Sequence, residues 1–155
     1  MIVIRNTQRK VAVSLQDLER DTTAILHKLR YDDWGIFFML VNEERMRHYN
    51  NVYRGKDQST DVLSFPFHEN AQPGKRIKVQ FDDEKSLGDI MICPAYMVRN
   101  LEKYEVSFEQ RLRILLVHSI YHLLGYDHIN DDDYRKMQRQ ETAMLRHLNQ
   151  LFPLS

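Results

Sequence analysis

The sequence has few of the residues that mark secreted, membrane or fibrous proteins. Its 155 residues include one cysteine, Cys93, with five glycines and four prolines. A single cysteine cannot form an internal disulfide, so a disulfide-stapled secreted domain is excluded and a reducing compartment is expected. No run reaches the ~18 apolar residues that span a membrane, and no charged leader precedes an apolar run. We therefore expect a protein that is neither secreted nor embedded in a membrane.

The sequence also lacks an excess of charge of either sign. The 22 basic and 22 acidic residues give a net charge of zero, without the basic excess typical of nucleic-acid-binding proteins. Contact with RNA would need a local patch. Two basic stretches are candidates, one with Arg45, Arg47, Arg54 and Lys56, the other with Lys75, Arg76 and Lys78. Such charge runs are more often solvated surface.

The order of apolar patterns predicts an α+β fold in one domain over residues 1–155. With 43% apolar residues the chain is long enough for one core. Short apolar runs predict strands at 2–5, 35–41, 61–65 and 88–92. Apolar stripes, capping residues and Pro94 predict helices at 15–29, 43–53 and 94–104, from about 108, and from 131. We expect a small mixed sheet packed with about five helices.

Three histidines with the spacing HxxxHxxxxxH form the most informative motif. His118 and His122 lie four residues apart, so on a helix they project about 40° apart and can reach a common point. Gly125 can end that helix and turn the chain back, which lets His128 supply a third ligand. Three neutral imidazoles and an open position are typical of a catalytic zinc site. We predict one Zn²⁺ per chain, although imidazole also suits nickel, copper and iron.

Two carboxylates near the histidines allow more than one interpretation. Glu141 falls on the apolar face of the last helix, where it can hold a ring nitrogen of a metal-binding histidine, pair with an arginine such as Arg54, or reach solvent. Asp127 can accept a proton beside the metal, cap the turn, or orient His128. The sequence does not choose among these roles.

Ser119 stands where the metalloprotease pattern HExxH places its glutamate base. A zinc centre without that base suits a phosphodiester, because the transition state gains negative charge that a metal and a guanidinium can stabilise. Arg54 is the arginine we choose, so His118 and Arg54 are the predicted catalytic residues. The Ser119 hydroxyl can also bond back to its own helix.

Four blocks of the sequence resemble the YbeY family. They are residues 51–66, Leu87-Gly-Asp-Ile90, residues 118–128, and Met137-x3-Glu141-x3-Leu145. The resemblance implies a single-strand-specific, metal-dependent endoribonuclease that acts in ribosomal RNA maturation, including the 3′ end of the small-subunit RNA, and in ribosome quality control. It implies metal on His118, His122 and His128, and Arg54 at the RNA site. Thr60 and Asp61, in the first block, are candidates to support the site or to contact substrate.

The resemblance also implies partners and a compartment. RNA precursors and the small ribosomal subunit, or its proteins, are the expected partners. Residues 65–69 look closer to animal members than to bacterial ones, which implies the mitochondrial matrix for a eukaryotic chain and the cytoplasm for a bacterial one. Two other functions stay open: a ribosome-assembly factor with structural zinc, and a metzincin-like hydrolase of another bond.

Overall fold

The computed structural model describes residues 1–154, which form one four-stranded sheet and five α-helices. The strands are β1 (Ile2–Asn6), β2 (Gly35–Leu40), β3 (Val62–Pro66) and β4 (Ser86–Ile92). The helices are α1 (Leu15–Lys28), α2 (Glu43–Arg54), α3 (Pro94–Arg99), α4 (Phe108–Leu123) and α5 (Asp131–Leu151). The predicted α+β fold with about five helices is confirmed.

The sheet is mixed, with strand order β1-β2-β4-β3. The β1/β2 and β2/β4 pairs are parallel, and β3 runs antiparallel to β4. Pro66 ends the edge strand β3, where a residue without an N–H group breaks no ladder on the outer side. The edge position of β3 leaves its first residues free to line a cavity.

The two faces of the sheet carry different layers. Ile36, Phe38 and Leu40 of β2 are buried in the main core, which they share with α1, α4 and α5. On the other face, Met46 of α2 packs with Met91 in a smaller cluster. This alternation follows from the period of two along a strand. The face with α4 is the one on which the histidines lie.

Helix α3 is shorter than the predicted 94–104. It ends at Arg99, and a separate 3₁₀ helix follows at Leu101–Lys103. The side chain of Asn100 donates to the Tyr96 carbonyl at 2.9 Å, and such a local bond competes with helix continuation. No helix within residues 1–154 is long and apolar enough to cross a membrane.

Arg113 is a buried link between three helices. Its side chain is 2% exposed and donates from Nε to Asp21 of α1 at 2.8 Å. The same guanidinium donates to the Asn149 side chain and to the Phe152 carbonyl, both at 2.8 Å. Charge-assisted bonds of this kind are strong and directional. The link fixes α4 against α1 and against the end of α5.

Cys93, which follows β4, is fully buried. Its backbone N–H donates to the Asp61 carbonyl at 2.8 Å, which ties the start of β3 to the end of β4. Burial raises the pKa of the Cys93 thiol above its ordinary value, so the sulfur stays protonated. The residue packs as a small apolar side chain.

Candidate active site

The three predicted histidines lie next to one another at the end of α4 and in the turn after it. The Nε2 atoms of His118 and His122 lie 2.9 Å apart. The ring centroid of His128 is 5.8 Å from that of His118 and 5.3 Å from that of His122. The structure therefore brings together the three side chains that the spacing selected.

A glycine turn after α4 returns the chain to the histidines. Gly125 has a φ of 94°, and its N–H donates to the His122 carbonyl at 3.0 Å, while the Tyr126 N–H donates to the Tyr121 carbonyl at 3.0 Å. This is a Schellman ending. A Cβ at Gly125 would lie 2.3 Å from the Ala71 carbonyl oxygen. Both the positive φ and this contact require glycine.

The ring nitrogens that face away from the centre are engaged. Nδ1 of His122 lies 2.9 Å from the Tyr126 carbonyl, and Nδ1 of His118 lies 3.3 Å from a Glu141 carboxylate oxygen. A carbonyl and a carboxylate can only accept, so both Nδ1 atoms carry the hydrogen and both Nε2 atoms present lone pairs. Two lone pairs that meet at 2.9 Å fit a cation between them.

Burial, with the neighbouring His118 adding to it, holds the pKa of His122 below its ordinary value. His122 is thus neutral near pH 7, and neutral imidazole is the form that binds metals.

Of the three interpretations of Glu141, the contact with a ring nitrogen of His118 is the one that the structure shows.

Asp127 offers a possible oxygen ligand beside two of the histidines. Ligand atoms of His122, Asp127 and His128 all lie within 4.8 Å of one another. One Asp127 oxygen accepts from the His128 backbone N–H at 2.7 Å and lies 3.4 Å from Nδ1 of the same residue. Asp127 therefore caps the turn, contacts the third histidine, and is close enough to be a ligand itself.

A cavity of about 460 Å³ opens beside the histidines. The candidate residues from the other sequence blocks line it together with the imidazoles: Arg54, Thr60, Asp61 and Glu141. Arg54 is the last residue of α2, whereas Thr60 and Asp61 precede β3. Segments far apart in sequence thus place Arg54 and two carboxylates around a candidate metal centre.

Arg111 is a second arginine in this cavity that the sequence interpretation missed. It donates to Asp61 at 3.2 Å, and its guanidinium lies 3.7 Å from the ring centroid of Tyr104. Arg111 precedes His118 by seven residues, which is two helical turns, so the same helix-face argument could have found it. Ser64, Tyr134 and Gln138 also line the cavity.

The other predicted RNA contacts lie outside this cavity. Arg45, Arg47 and Lys56 are exposed and do not line it. Arg47 donates to Asp57 through Nε at 2.8 Å and through NH2 at 3.0 Å, so a local carboxylate balances its charge. A contact between these residues and RNA stays a prediction.

The bond that Ser119 could make back to its own helix is not formed. Ser119 is fully buried and its hydroxyl oxygen has no hydrogen-bond partner within residues 1–154. In α1, by contrast, the Thr22 hydroxyl does donate to the Leu18 carbonyl, at 2.7 Å. Ser119 is enclosed on all sides, so packing sets its side-chain orientation. No acid occupies the position of a peptidase base.

A family model described as "Endoribonuclease YbeY" matches residues 3–149 of the chain. The chain belongs to the YbeY family. The resemblance of the four sequence blocks is thereby confirmed over nearly the whole length.

Relatives within the YbeY family come from bacteria and from human. A protein of Alkaliphilus oremlandii named "Endoribonuclease YbeY" is 35% identical over 154 residues, which cover 97% of this chain and 98% of that protein. The human protein of the same name is 30% identical, with 95% and 87% covered. A solution structure from Thermotoga maritima has a TM-score of 0.66 at 26% identity and covers 98% of this chain and 91% of its own.

Proposed function

We propose that the chain is a zinc-dependent endoribonuclease that hydrolyses phosphodiester bonds of single-stranded RNA in ribosomal RNA maturation, including the small-subunit 3′ end. The observation that carries the proposal is the shared cavity of Arg54 and the three histidines. YbeY family membership supports the substrate class. Precursor RNA and the small subunit, or its proteins, are the proposed partners, in the mitochondrial matrix of a eukaryote or the cytoplasm of a bacterium.

The residues that would hold zinc are His118, His122 and His128. Zinc in a three-histidine site supplies Lewis-acid charge and lowers the pKa of bound water to about 7. The Tyr126 carbonyl and the Glu141 carboxylate hold two of the rings in the orientation that turns Nε2 towards the centre. Partners of this kind typically change metal affinity by about 10–100-fold.

Arg54 is the group that would stabilise the reacting phosphate. Asp61 pairs with Arg111 at 3.2 Å and thus leaves the Arg54 guanidinium available to a ligand in the cavity. A guanidinium can donate two parallel hydrogen bonds to phosphoryl oxygens, and these strengthen as charge develops. Thr60 lies beside Asp61, with Oγ1 3.4 Å from its carboxylate, and would help to orient it.

Two substitutions test these roles with purified, nuclease-free protein and a single-stranded RNA. His118→Ala should lose both bound metal and cleavage. Arg54→Ala should keep the metal but cleave about 10²–10³-fold more slowly, which is the range for removing one transition-state donor. Arg146→Ala is the matched control, because Arg146 is exposed on α5 and lies outside the cavity.

The other outcomes separate the alternatives. No cleavage with any divalent metal would contradict the proposal, and RNA binding without cleavage would favour an assembly factor with structural zinc. Turnover of peptides by the zinc form would favour a metzincin-like hydrolase. Metal titration of Asp127→Asn against His118→Ala tests the ligand set, and a larger loss of affinity in Asp127→Asn would replace His118 by Asp127.

A further inference from the structure

Residues 68–78, here called the basic loop, line two cavities. The first, of about 670 Å³, is lined by His68, Lys75, Arg76 and Lys78 among others. The second, of about 290 Å³, shares Lys75 and Arg76 and adds Arg30 with three tyrosines, Tyr31, Tyr121 and Tyr126. No aspartate or glutamate lines either one. Both surfaces are therefore positive, although the whole protein is neutral.

We propose that the basic loop binds backbone phosphates of the RNA on the side of the active site next to His122. The inference rests on the proposed endoribonuclease function and adds to it a binding surface for nucleotides beyond the scissile bond. Lys75, Arg76, Lys78 and Arg30 are the phosphate-binding residues.

The Asp33 carboxylate, which interacts with Arg76, is engaged mainly by another cation. The hydrogen bond from Lys85 is the main reason that the pKa of Asp33 lies below its ordinary value, and Arg76 makes only a small contribution. The Lys85 Nζ atom lies 2.6 Å from Asp33, so that carboxylate is already engaged. Glu69 is the acidic residue within the loop itself, and it lines neither cavity, so the cations there face a ligand with several negative charges.

The backbone of Arg30 also indicates that its side chain is used. Arg30 follows α1 with a φ of 62°, a left-handed conformation in which a Cβ is crowded and glycine is favoured. Its N–H donates to the His27 carbonyl at 3.1 Å, so the turn itself needs only a backbone. An arginine at such a position reaches the second cavity at the cost of backbone strain.

The basic loop is held in place by aromatic residues. The Arg76 guanidinium lies 4.3 Å from the ring centroid of Tyr31, whose hydroxyl accepts from the Ile77 N–H at 3.0 Å. At the other end of the loop, Nε2 of His68 lies 2.8 Å from the Glu84 carbonyl. The basic side chains thus extend from a fixed backbone.

The loop also touches the turn that carries the metal ligands. The Ala71 carbonyl packs on Gly125, and Tyr126 lines the second cavity while its carbonyl holds Nδ1 of His122. A strand that leaves the active site over this turn would reach the loop directly. Tyr31 and Tyr121 are buried and form the wall of the second cavity, so the cations around them are the groups that would meet the phosphates of the strand.

The test compares two double variants of the full-length, metal-loaded protein. Lys75→Gln/Lys78→Gln removes two loop charges, and Lys10→Gln/Lys103→Gln removes two exposed charges outside both cavities. Binding of single-stranded RNAs of about 4 and about 20 nucleotides is measured by fluorescence anisotropy over a range of salt, and a gel checks that the RNA is intact.

The loop variant should bind the long RNA several-fold more weakly. Its slope of log affinity against log salt should be smaller by about 1.4, because each phosphate contact of a single strand contributes about 0.7. The short RNA should be affected less. Equal weakening in the Lys10/Lys103 variant, or no change in the loop variant, would overturn the inference.

Arg30→Gly gives a second test in which stability and binding change in opposite directions. Relief of the left-handed strain should raise Tm by about 2 °C, while affinity for the long RNA falls. A variant with unchanged RNA affinity would contradict the role of Arg30, even if Tm rises. The same variants are also tested for binding to vesicles of anionic phospholipid. If they bind RNA normally but no longer bind the vesicles, that result would assign the basic loop to a membrane surface instead.

The two proposals can fail separately. If the wild-type protein cleaves RNA but the loop variants bind and cleave the long RNA normally, only the loop inference fails. If the wild-type protein binds long RNA through the loop but never cleaves it, only the endoribonuclease function fails.

Discussion

Two buried hydroxyl groups on neighbouring helices differ in one respect. The Thr22 hydroxyl donates to the Leu18 carbonyl, whereas the Ser119 hydroxyl has no partner among the described residues. A buried polar group without a hydrogen bond costs stability, and a bonded one adds a little. The pair therefore separates the two effects at comparable burial.

We expect Ser119→Ala to raise the free energy of unfolding by about 1 kcal/mol, because it removes a desolvated hydroxyl that bonds nothing. Thr22→Val, which removes a bonded hydroxyl at nearly constant volume, should lower it by about 1 kcal/mol. Urea denaturation of the two variants measures both values. Destabilisation by Ser119→Ala would mean that the hydroxyl has a partner in solution.

Gly125→Ala should be much more harmful than Gly55→Ala. Both glycines have positive φ, 94° and 67°, but nothing lies within 4 Å of a Cβ at Gly55, whereas Ala71 blocks the one at Gly125. Backbone strain should cost each variant about 1 kcal/mol, and the clash should add about 1–3 kcal/mol at Gly125. Denaturant unfolding gives the difference. Equal costs would show that the basic loop moves away freely.

Single residues of the site were predictable where a pattern along the helix carries the information. The spacing of His118, His122 and Gly125 was sufficient to predict the histidine cluster, because helical geometry relates residues that are close in sequence. The Tyr126 carbonyl and the Ala71 contact were not predictable, because backbone groups leave no mark in side-chain patterns. For Glu141, the pattern gave the face of the helix but not the partner.

At the scale of elements, the Arg113 link decides how the helices are held. Asp21→Ala should lower the free energy of unfolding by about 3–5 kcal/mol, because it leaves the Arg113 guanidinium buried without a counter-charge. Asp17→Ala is the matched control: Asp17 is 54% exposed and lies 3.3 Å from Arg20, so its loss should cost less than about 1 kcal/mol. Guanidinium denaturation measures both.

The link can also be replaced rather than broken. The double substitution Asp21→Leu with Arg113→Met should recover much of the lost stability, since an apolar pair removes the desolvated charges together. A double variant as unstable as Asp21→Ala would show that the bonds to Asn149 and Phe152 carry most of the stabilisation.

Elements were predictable where the apolar period is long. The stripe of α1 and the capping box of α4, in which Ser107 and Gln110 exchange hydrogen bonds, gave those helices nearly to the residue. The end of α3 was not predictable, because it depends on one side-chain bond from Asn100. The pairing of strands needed the structure, since contacts between β4 and its neighbours join distant segments.

At the scale of the whole molecule, metal should add stability without being needed for folding. The core already buries residues from β2, β3, β4 and all five helices, so the metal-free protein should stay folded. Zinc at 100 times its Kd should stabilise it by about 2.7 kcal/mol and raise Tm by about 5–10 °C. Differential scanning fluorimetry with zinc and with a chelator measures the shift.

The control for this shift is His118→Ala/His122→Ala, in which zinc should leave Tm nearly unchanged. An unfolded protein after chelation would instead indicate a structural metal, and a shift that survives in the double variant would place the binding elsewhere.

The assembly of the cavity from α2, α4, α5 and the start of β3 could not be predicted from pattern alone. Only the resemblance of separate blocks linked Arg54 to the histidines.

The burial of Cys93 also makes the protein convenient for spectroscopy. A fully enclosed, protonated thiol should not react with maleimides in the folded state. A cysteine introduced at exposed Asn70 in the basic loop would then be the single point of attachment for a dye. Fluorescence from that position would report RNA arrival in real time, with the native sequence unchanged at every other position.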